Sequence, residues 1–251
     1  MEKMSPAIRR LIGVAIVLVL WEIGGQIAGE SFFAPPSAVI PAFLGMLGDG
    51  KTVPTFLFSF QQMIVGFGLA YVIGVPLGIG MGRSKMIDQF VHPWASMFVV
   101  LSAAALVPLF IVLLGTGFTF RAGIVFMASI WYVVLTVYHG ARGISPRYLD
   151  VAKSFGADGA MTFRQILLPA LFPYLVTAAR LGIVHALRAM VVAELYVVFG
   201  FGQLIQQAGF EVSTAPLLAL LLILMIASLG LNRALGWAGN RLAPWYAKAK
   251  S

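Results

Sequence analysis

Six segments, at about 8–28, 60–81, 90–114, 122–140, 171–198 and 216–237, are each long and apolar enough to cross a bilayer. That feature excludes most folds. A segment surrounded by hydrocarbon must satisfy its own backbone hydrogen bonds and therefore becomes a helix. A span takes about 20 residues to match the hydrocarbon thickness. The composition agrees: 60% of the chain is hydrophobic and only 10% is charged, against roughly 25% charged in an ordinary soluble domain. A soluble fold of 251 residues has too little interior for so much apolar side chain. No polar stretch between the segments could hold a soluble domain. The expected fold class is all-α, a polytopic membrane protein with six transmembrane helices in a single domain over residues 1–251.

The charges orient these spans. With the N-terminus in the cytoplasm, the inner segments hold Lys3, Arg9, Arg10, Arg83, Lys85, Arg142, Arg147, Lys153, Arg164, Arg233, Arg241, Lys248 and Lys250. The outer segments hold only Lys51 and Arg121, and Arg180 and Arg188 fall inside the fifth span. Cytoplasmic loops carry the excess of Lys and Arg, so both termini are expected in the cytoplasm. The net charge of +8 is then a property of those loops and implies no nucleic-acid partner. Lys3, Arg9 and Arg10 before an apolar run could mimic a signal peptide. No convincing cleavage site follows and five more spans come later, so the run reads as a retained first span.

Local signals refine the picture. Glycines crowd the second span, and Gly74, Gly78 and Gly82 recur every four residues on one helix face, where small side chains let helix backbones approach. The run Gly78-Ile79-Gly80-Met81-Gly82 lacks the strand-turn-helix context and the Lys-Ser/Thr of a phosphate loop. In the first outer loop, Ser37 is placed to cap a short apolar helix, which reads as either an interfacial helix or an ordinary ordered loop. No cysteine is present and His92, His139 and His185 are scattered, so no metal site or thiol chemistry is expected. With no convergent catalytic set either, no enzyme activity is expected of this chain.

The loop at 145–168 carries the most information. Ser145 and Pro146 suit a helix N-cap and first turn. Leu149, Ala152 and Phe155 follow at helical spacing. Gly156 suits a left-handed helix end, and Asp158 suits the cap of a second short helix before Pro169 opens the fifth span. The spacing Asp150-Val151-Ala152, Gly156, Ile166 and Leu168-Pro169 resembles the EAA loop of importer permeases of the ATP-binding cassette (ABC) superfamily, with Asp and Val where that pattern has Glu and Ala. Further likeness to the nitrate/sulfonate/taurine branch lies in Pro35-Pro36-Ser37, Gly74–Gly78, Met81–Ser84, Val107-Pro108-Leu109, Gly115-Thr116-Gly117 and Val192-Ala193-Glu194 with Gly200-Phe201-Gly202.

The resemblance implies a permease in the bacterial inner membrane, likened to a branch whose substrates include nitrate, alkanesulfonates, taurine, aromatic acids and pyrimidine or vitamin precursors, and the expected substrate is a small anionic organic or inorganic solute, with the choice among these left open. It implies a cytoplasmic coupling helix at which Leu149, Asp150, Ala152, Lys153, Ser154, Phe155 and Gly156 dock on an ATPase subunit. ATP and Mg would bind that partner, since this chain has no Gly-x4-Gly-Lys-Ser/Thr. An external solute-binding protein, a second permease (another copy in a homodimer, or the other member of a heteromeric pair) and membrane lipid complete the expected partners.

Ionisable groups inside a membrane are costly and mark cavities or pairs. In the fifth span these are Arg180, His185, Arg188 and Glu194. All four are candidates for a translocation path, and Arg180 and Glu194 serve equally well as ties between helices. The competing reading is an ion-gradient-driven secondary transporter, which would need coupling-ion sites near the midplane and often inverted repeats. No repeat is visible and Glu194 is the one mid-membrane carboxylate, so the importer reading leads.

Overall fold

The computed structural model describes residues 6–29 and 31–243; Lys3, Lys248 and Lys250 lie outside them. The described residues are helical with no strand. In chain order the helices are α1 (Pro6–Ala28), α2 (Pro36–Gly48), α3 (Thr52–Arg83), α4 (Lys85–Val100), α5 (Ala103–Leu114), α6 (Phe118–Gly143), α7 (Pro146–Ser154), α8 (Gly159–Thr162), α9 (Leu168–Glu194), α10 (Phe201–Phe210) and α11 (Thr214–Leu242), with a π-helical turn at Phe163–Leu167 leading into α9. Five helices are long and apolar enough to cross a membrane, and α4 with α5 makes a sixth if that bent pair counts as one span.

The third span departs from the expected single helix over 90–114. It breaks at Leu101 and Ser102, whose backbones are extended, with ψ of 126° and 132°. The two halves meet at 104°. The fifth span ends at Glu194, before the expected 198, and the chain turns there. The second helix of the 145–168 loop is also less separate than expected. After one turn of α8 it passes through the π turn directly into α9, where Leu168 N–H bonds Phe163 O, five residues back. The wide turn sits immediately before Pro169, which cannot donate to the helix ladder.

By its contacts the chain divides into two compact units, one of residues 1–58 and 198–227 and the other of 59–197 and 228–251. In the first unit α1 and α2 form a tied hairpin. Trp21 Nε1 donates to Ala34 O at 3.1 Å. Glu22 accepts the Ser37 backbone N–H at 3.1 Å and the Ser37 hydroxyl at 2.6 Å. Ser37 is therefore not the cap of α2: Pro35 takes that position, and the α1 carboxylate satisfies a free amide of the first turn. Gly25 permits the hairpin, because a Cβ there would lie 2.7 Å from Pro35 Cα. Ala34, Val39 and Ala219 bury together. Phe201 packs with Ala208 and Leu220 and meets Phe56 edge-on at 5.1 Å.

The second unit is built on α6, which packs against α9 and buries Ile124, Val133, Val134 and Val137. The glycine face of α3 lies against α6 as its spacing predicts. A Cβ on Gly74 would come 3.0 Å from Val133 Cγ1, one on Gly78 2.6 Å from Val134 O, and one on Gly82 2.5 Å from Ala141 Cβ. A Cβ on Gly66 would meet Ala122 O more closely still. Between helices in lipid, such close backbone contact supplies van der Waals attraction where the hydrophobic effect offers little.

Candidate functional site

Two places in the second unit have the character of a working site. The first is the loop between α6 and α9. Ser145 Oγ accepts Arg147 N–H at 3.4 Å and opens α7. At the other end Gly156 has φ +75°. Ala157 N–H bonds Ala152 O and Phe155 N–H bonds Val151 O, a turn that closes the last carbonyls of the helix. A Cβ at Gly156 would meet open space, so glycine is required there by the backbone conformation alone. Asp158 Oδ1 accepts Met161 N–H at 2.6 Å and starts α8 as its position predicts.

The faces of α7 sort in an unexpected way. Ala152 is buried, whereas Phe155, read at sequence level on the same stripe, is 86% exposed. Phe155 sits one position beyond the last helical residue. Tyr148 and Val151 are exposed too. Three apolar side chains thus stand out from a short helix whose Asp150 is also exposed, while Ser154 Oγ donates to Asp150 O at 3.0 Å. The side chains of Leu149 and Lys153 lie outside the described residues.

Beside this loop is a polar cluster that sequence reasoning missed. Asp88 of α4 accepts the Tyr138 hydroxyl of α6 at 3.2 Å and lies 3.4 Å from Arg142 Nη1 and 3.3 Å from His92 Nδ1. Arg142 also donates to the Tyr138 hydroxyl. These residues lie 50 and 54 positions apart in the chain, beyond the reach of any local pattern. Among the described residues no group of three His, Cys, Asp or Glu could hold a metal.

The second place is a cavity of about 270 Å³ where the broken third span faces α9. Its wall includes Val100–Ala104, Tyr132, His185 and Arg188. Tyr132 is stacked on His185, ring centroids 3.4 Å apart and 12° from parallel, and its hydroxyl donates to Val99 O at 3.4 Å. One α6 side chain therefore holds both the end of α4 and the imidazole of α9.

Of the four fifth-span candidates, the structure brings His185 and Arg188 together and places the other two elsewhere. The Arg180 guanidinium lies over Gly236 of α11, in space that only glycine leaves. Glu194 is 1% exposed and interacts electrostatically with Arg121, whose Nη1 donates to Gln62 at 3.3 Å. Arg121, assigned to an outer segment from its sequence position, is buried in the first turn of α6. Counting charge by position could not foresee this, because a helix start buried beside Glu194 looks identical in sequence to a loop end.

This architecture defines a multi-pass helical membrane protein with a capped loop helix and a polar cavity at a broken span. The family model for the binding-protein-dependent transport system inner membrane component matches residues 74–244, well over half of the chain and including both places. The chain belongs to that family, the permease components of ABC transporters. Similar proteins include a probable ABC transporter permease of Brucella abortus, 27% identical over 96% of this chain and 99% of its own length. The taurine transport system permease of Escherichia coli is 25% identical over 94% of this chain and 89% of its own. The nitrate import permease of Synechocystis is 26% identical over 94% and 90%. Among solved structures, the MetNI methionine ABC transporter in an inward-facing conformation aligns with a TM-score of 0.64 at 19% identity, covering 76% of this chain and 94% of that one, which shows the shared fold.

Proposed function

We propose that this chain, as one permease domain, carries a small anionic solute inward in an ATP-driven importer. A separate cytoplasmic ATPase binds ATP and Mg, an external binding protein delivers the solute, and a second copy of the chain completes the path. Both termini lie in the cytoplasm and lipid surrounds the spans. The observation that carries the reading is the α7 loop. Its helix ends at a left-handed glycine, with Tyr148, Val151 and Phe155 projecting beside Asp150. A short rigid helix with exposed apolar side chains is suited to lie in a partner's groove. Leu149, Asp150, Ala152, Lys153, Ser154, Phe155 and Gly156 form the docking segment. Movement of the ATPase passes through it to α6 on one side and, by way of α8 and the π turn, to α9 on the other, and rocks the spans as rigid bodies. Three relatives are named as permeases of a taurine transport system, of nitrate import and, in Synechocystis, of a bicarbonate transport system. All three solutes carry an oxyanion group, and the substrate class proposed here follows them.

The test is co-purification of the permease from membranes with a candidate ATPase subunit, native against Gly156→Val. Valine at φ +75° costs at least about 1–2 kcal/mol of backbone strain but meets no neighbour. The expected result is loss of the ATPase while the permease still runs as a folded, monodisperse species. Undiminished capture by the variant would remove the loop from the coupling role.

A further inference from the structure

The cavity between the broken third span and α9 has a chemistry of its own. Arg188 is the charged residue in its wall and no carboxylate lines it. Arg121 is held by Gln62 and by the charge of Glu194. Arg188, by contrast, has no ion pair or hydrogen bond among the described residues. An unpaired guanidinium within a membrane span is costly unless it faces water or a counter-ion. The opposite wall points the same way. Leu101 and Ser102 are extended, and irregular backbone at membrane depth is tolerated only where protein buries it or a water-filled cavity hydrates it. The Ser102 hydroxyl makes no capping bond, so it remains available to the cavity. The third wall is flat and rigid: the His185 ring clamped on Tyr132, itself fixed to Val99 O. The volume, about 270 Å³, lies just below the usual range of small-molecule sites, roughly 300–1,000 Å³.

We propose that this cavity is an oxyanion site in the membrane. It admits a small solute bearing a carboxylate, sulfonate or nitrate-type group and excludes cations. Arg188 supplies the charge and the planar donor fork that matches such groups. Ser102 supplies a hydroxyl, and the His185–Tyr132 stack supplies the face against which the solute lies. The proposal rests on the importer reading and adds to it that charge selection occurs in this chain as well as in the binding protein.

The chain contains no cysteine, so Ser102→Cys introduces a single thiol into the cavity wall. The full permease, in complex with its ATPase in lipid nanodiscs, is treated with two methanethiosulfonates of similar size, one bearing an ethylsulfonate and one an ethyltrimethylammonium. Rates are normalised to those of a free thiol in solution. The expected result is a preference for the anionic reagent of about tenfold or more, the scale on which a cleft of one charge sign concentrates counter-ions. Adding Arg188→Gln collapses the preference toward one, while Arg188→Lys retains most of it. Millimolar nitrate or taurine slows the labelling, and choline does not.

Equal normalised rates in the Ser102→Cys protein overturn the proposal. So does a preference that survives Arg188→Gln, or a thiol that neither reagent reaches until the protein is denatured. Monodisperse elution of the Arg188→Gln protein at the native volume, with labelling slower than that of the same protein after denaturation, shows that the variant is folded. ATPase retention, measured on the same preparations, reports on the importer reading separately. A retained ATPase with no charge preference defeats the cavity assignment alone, and a charge preference without ATPase capture defeats the coupling assignment alone.

Discussion

Gly78→Ala adds one methyl group to the seam between α3 and α6. That methyl would stand 2.6 Å from Val134 O, 2.9 Å from Val137 Cβ and 3.2 Å from Tyr138 N. Two of these neighbours are backbone atoms of a helix and cannot rotate aside. An ordinary carbon–oxygen approach is about 3.3–3.6 Å, so α3 must back away by roughly 0.7–1 Å. Gly74 and Gly82, one turn to either side, lose their close contacts with Val133 and Ala141. Overpacking of this kind costs about 1–3 kcal/mol. Gly68→Ala on the same helix is the control: its methyl meets nothing within 4 Å, and alanine gains up to about 1 kcal/mol of helix propensity. Both substitutions gain that propensity, so the variants should differ by the overpacking cost of about 1–3 kcal/mol, and at about 2–4 °C per kcal/mol for a chain of this size the midpoints separate by roughly 2–12 °C. The assay is the fraction of monodisperse protein surviving a heating series in detergent, read by size exclusion at one fixed heating rate. Coincident midpoints would refute the claim that backbone proximity holds this seam.

Further outcomes are accessible with the same protein. Tyr71→Phe removes a hydroxyl bond to Leu175 O at 3.1 Å and should cost about 1 kcal/mol, a drop of a few degrees in the same assay. Glu22→Ala frees the Ser37 amide, whose hydrogen exchange should accelerate; Gln26→Ala, which removes a donor from the same carboxylate, should leave that amide protected. Asp49 accepts bonds from the Thr52 hydroxyl and from the Thr52 and Lys51 amides, and the Thr52 hydroxyl bond foremost holds its carboxyl below the ordinary value. Because the folded value is depressed, the stabilisation is fully present above the unfolded carboxylate pKa of about 3.9 and is lost as pH falls through the lower folded one. Protection of the Thr52 amide, corrected for intrinsic exchange, should therefore hold at pH 5 and fade in strong acid, and Asp49→Asn should abolish that dependence.

Much of this was legible in the sequence because membranes impose simple rules. Apolar length locates helices, and a four-residue glycine spacing declares a helix face, so the α3–α6 seam follows from Gly74, Gly78 and Gly82. Gly156 and Asp158 are equally direct, since a left-handed turn and a helix cap each select few residue types. The break at Leu101–Ser102 was not legible. Hydropathy registers apolar continuity and is blind to dihedral angles, and neither glycine nor proline stands at the break. The cavity was hidden for the same reason: Arg188 and His185 were visible, but the wall opposite them exists only once the third span bends. Arg121 and the Asp88–Tyr138–Arg142 cluster depend on contacts across 50 to 59 residues, which no periodicity encodes.

The hairpin of α1 and α2 has a consequence for biosynthesis. Glu22 is a carboxylate near the end of a helix that enters the membrane first, and its partner Ser37 follows only 15 residues later. At about 5–20 residues per second of translation, its partner is synthesised within about one to three seconds of it. The Tyr71 hydroxyl, by contrast, waits for a carbonyl 104 residues downstream. The first hairpin needs no residue beyond Ser37 to satisfy this carboxylate, so the one acidic side chain of the first span is hydrogen-bonded from within its own hairpin.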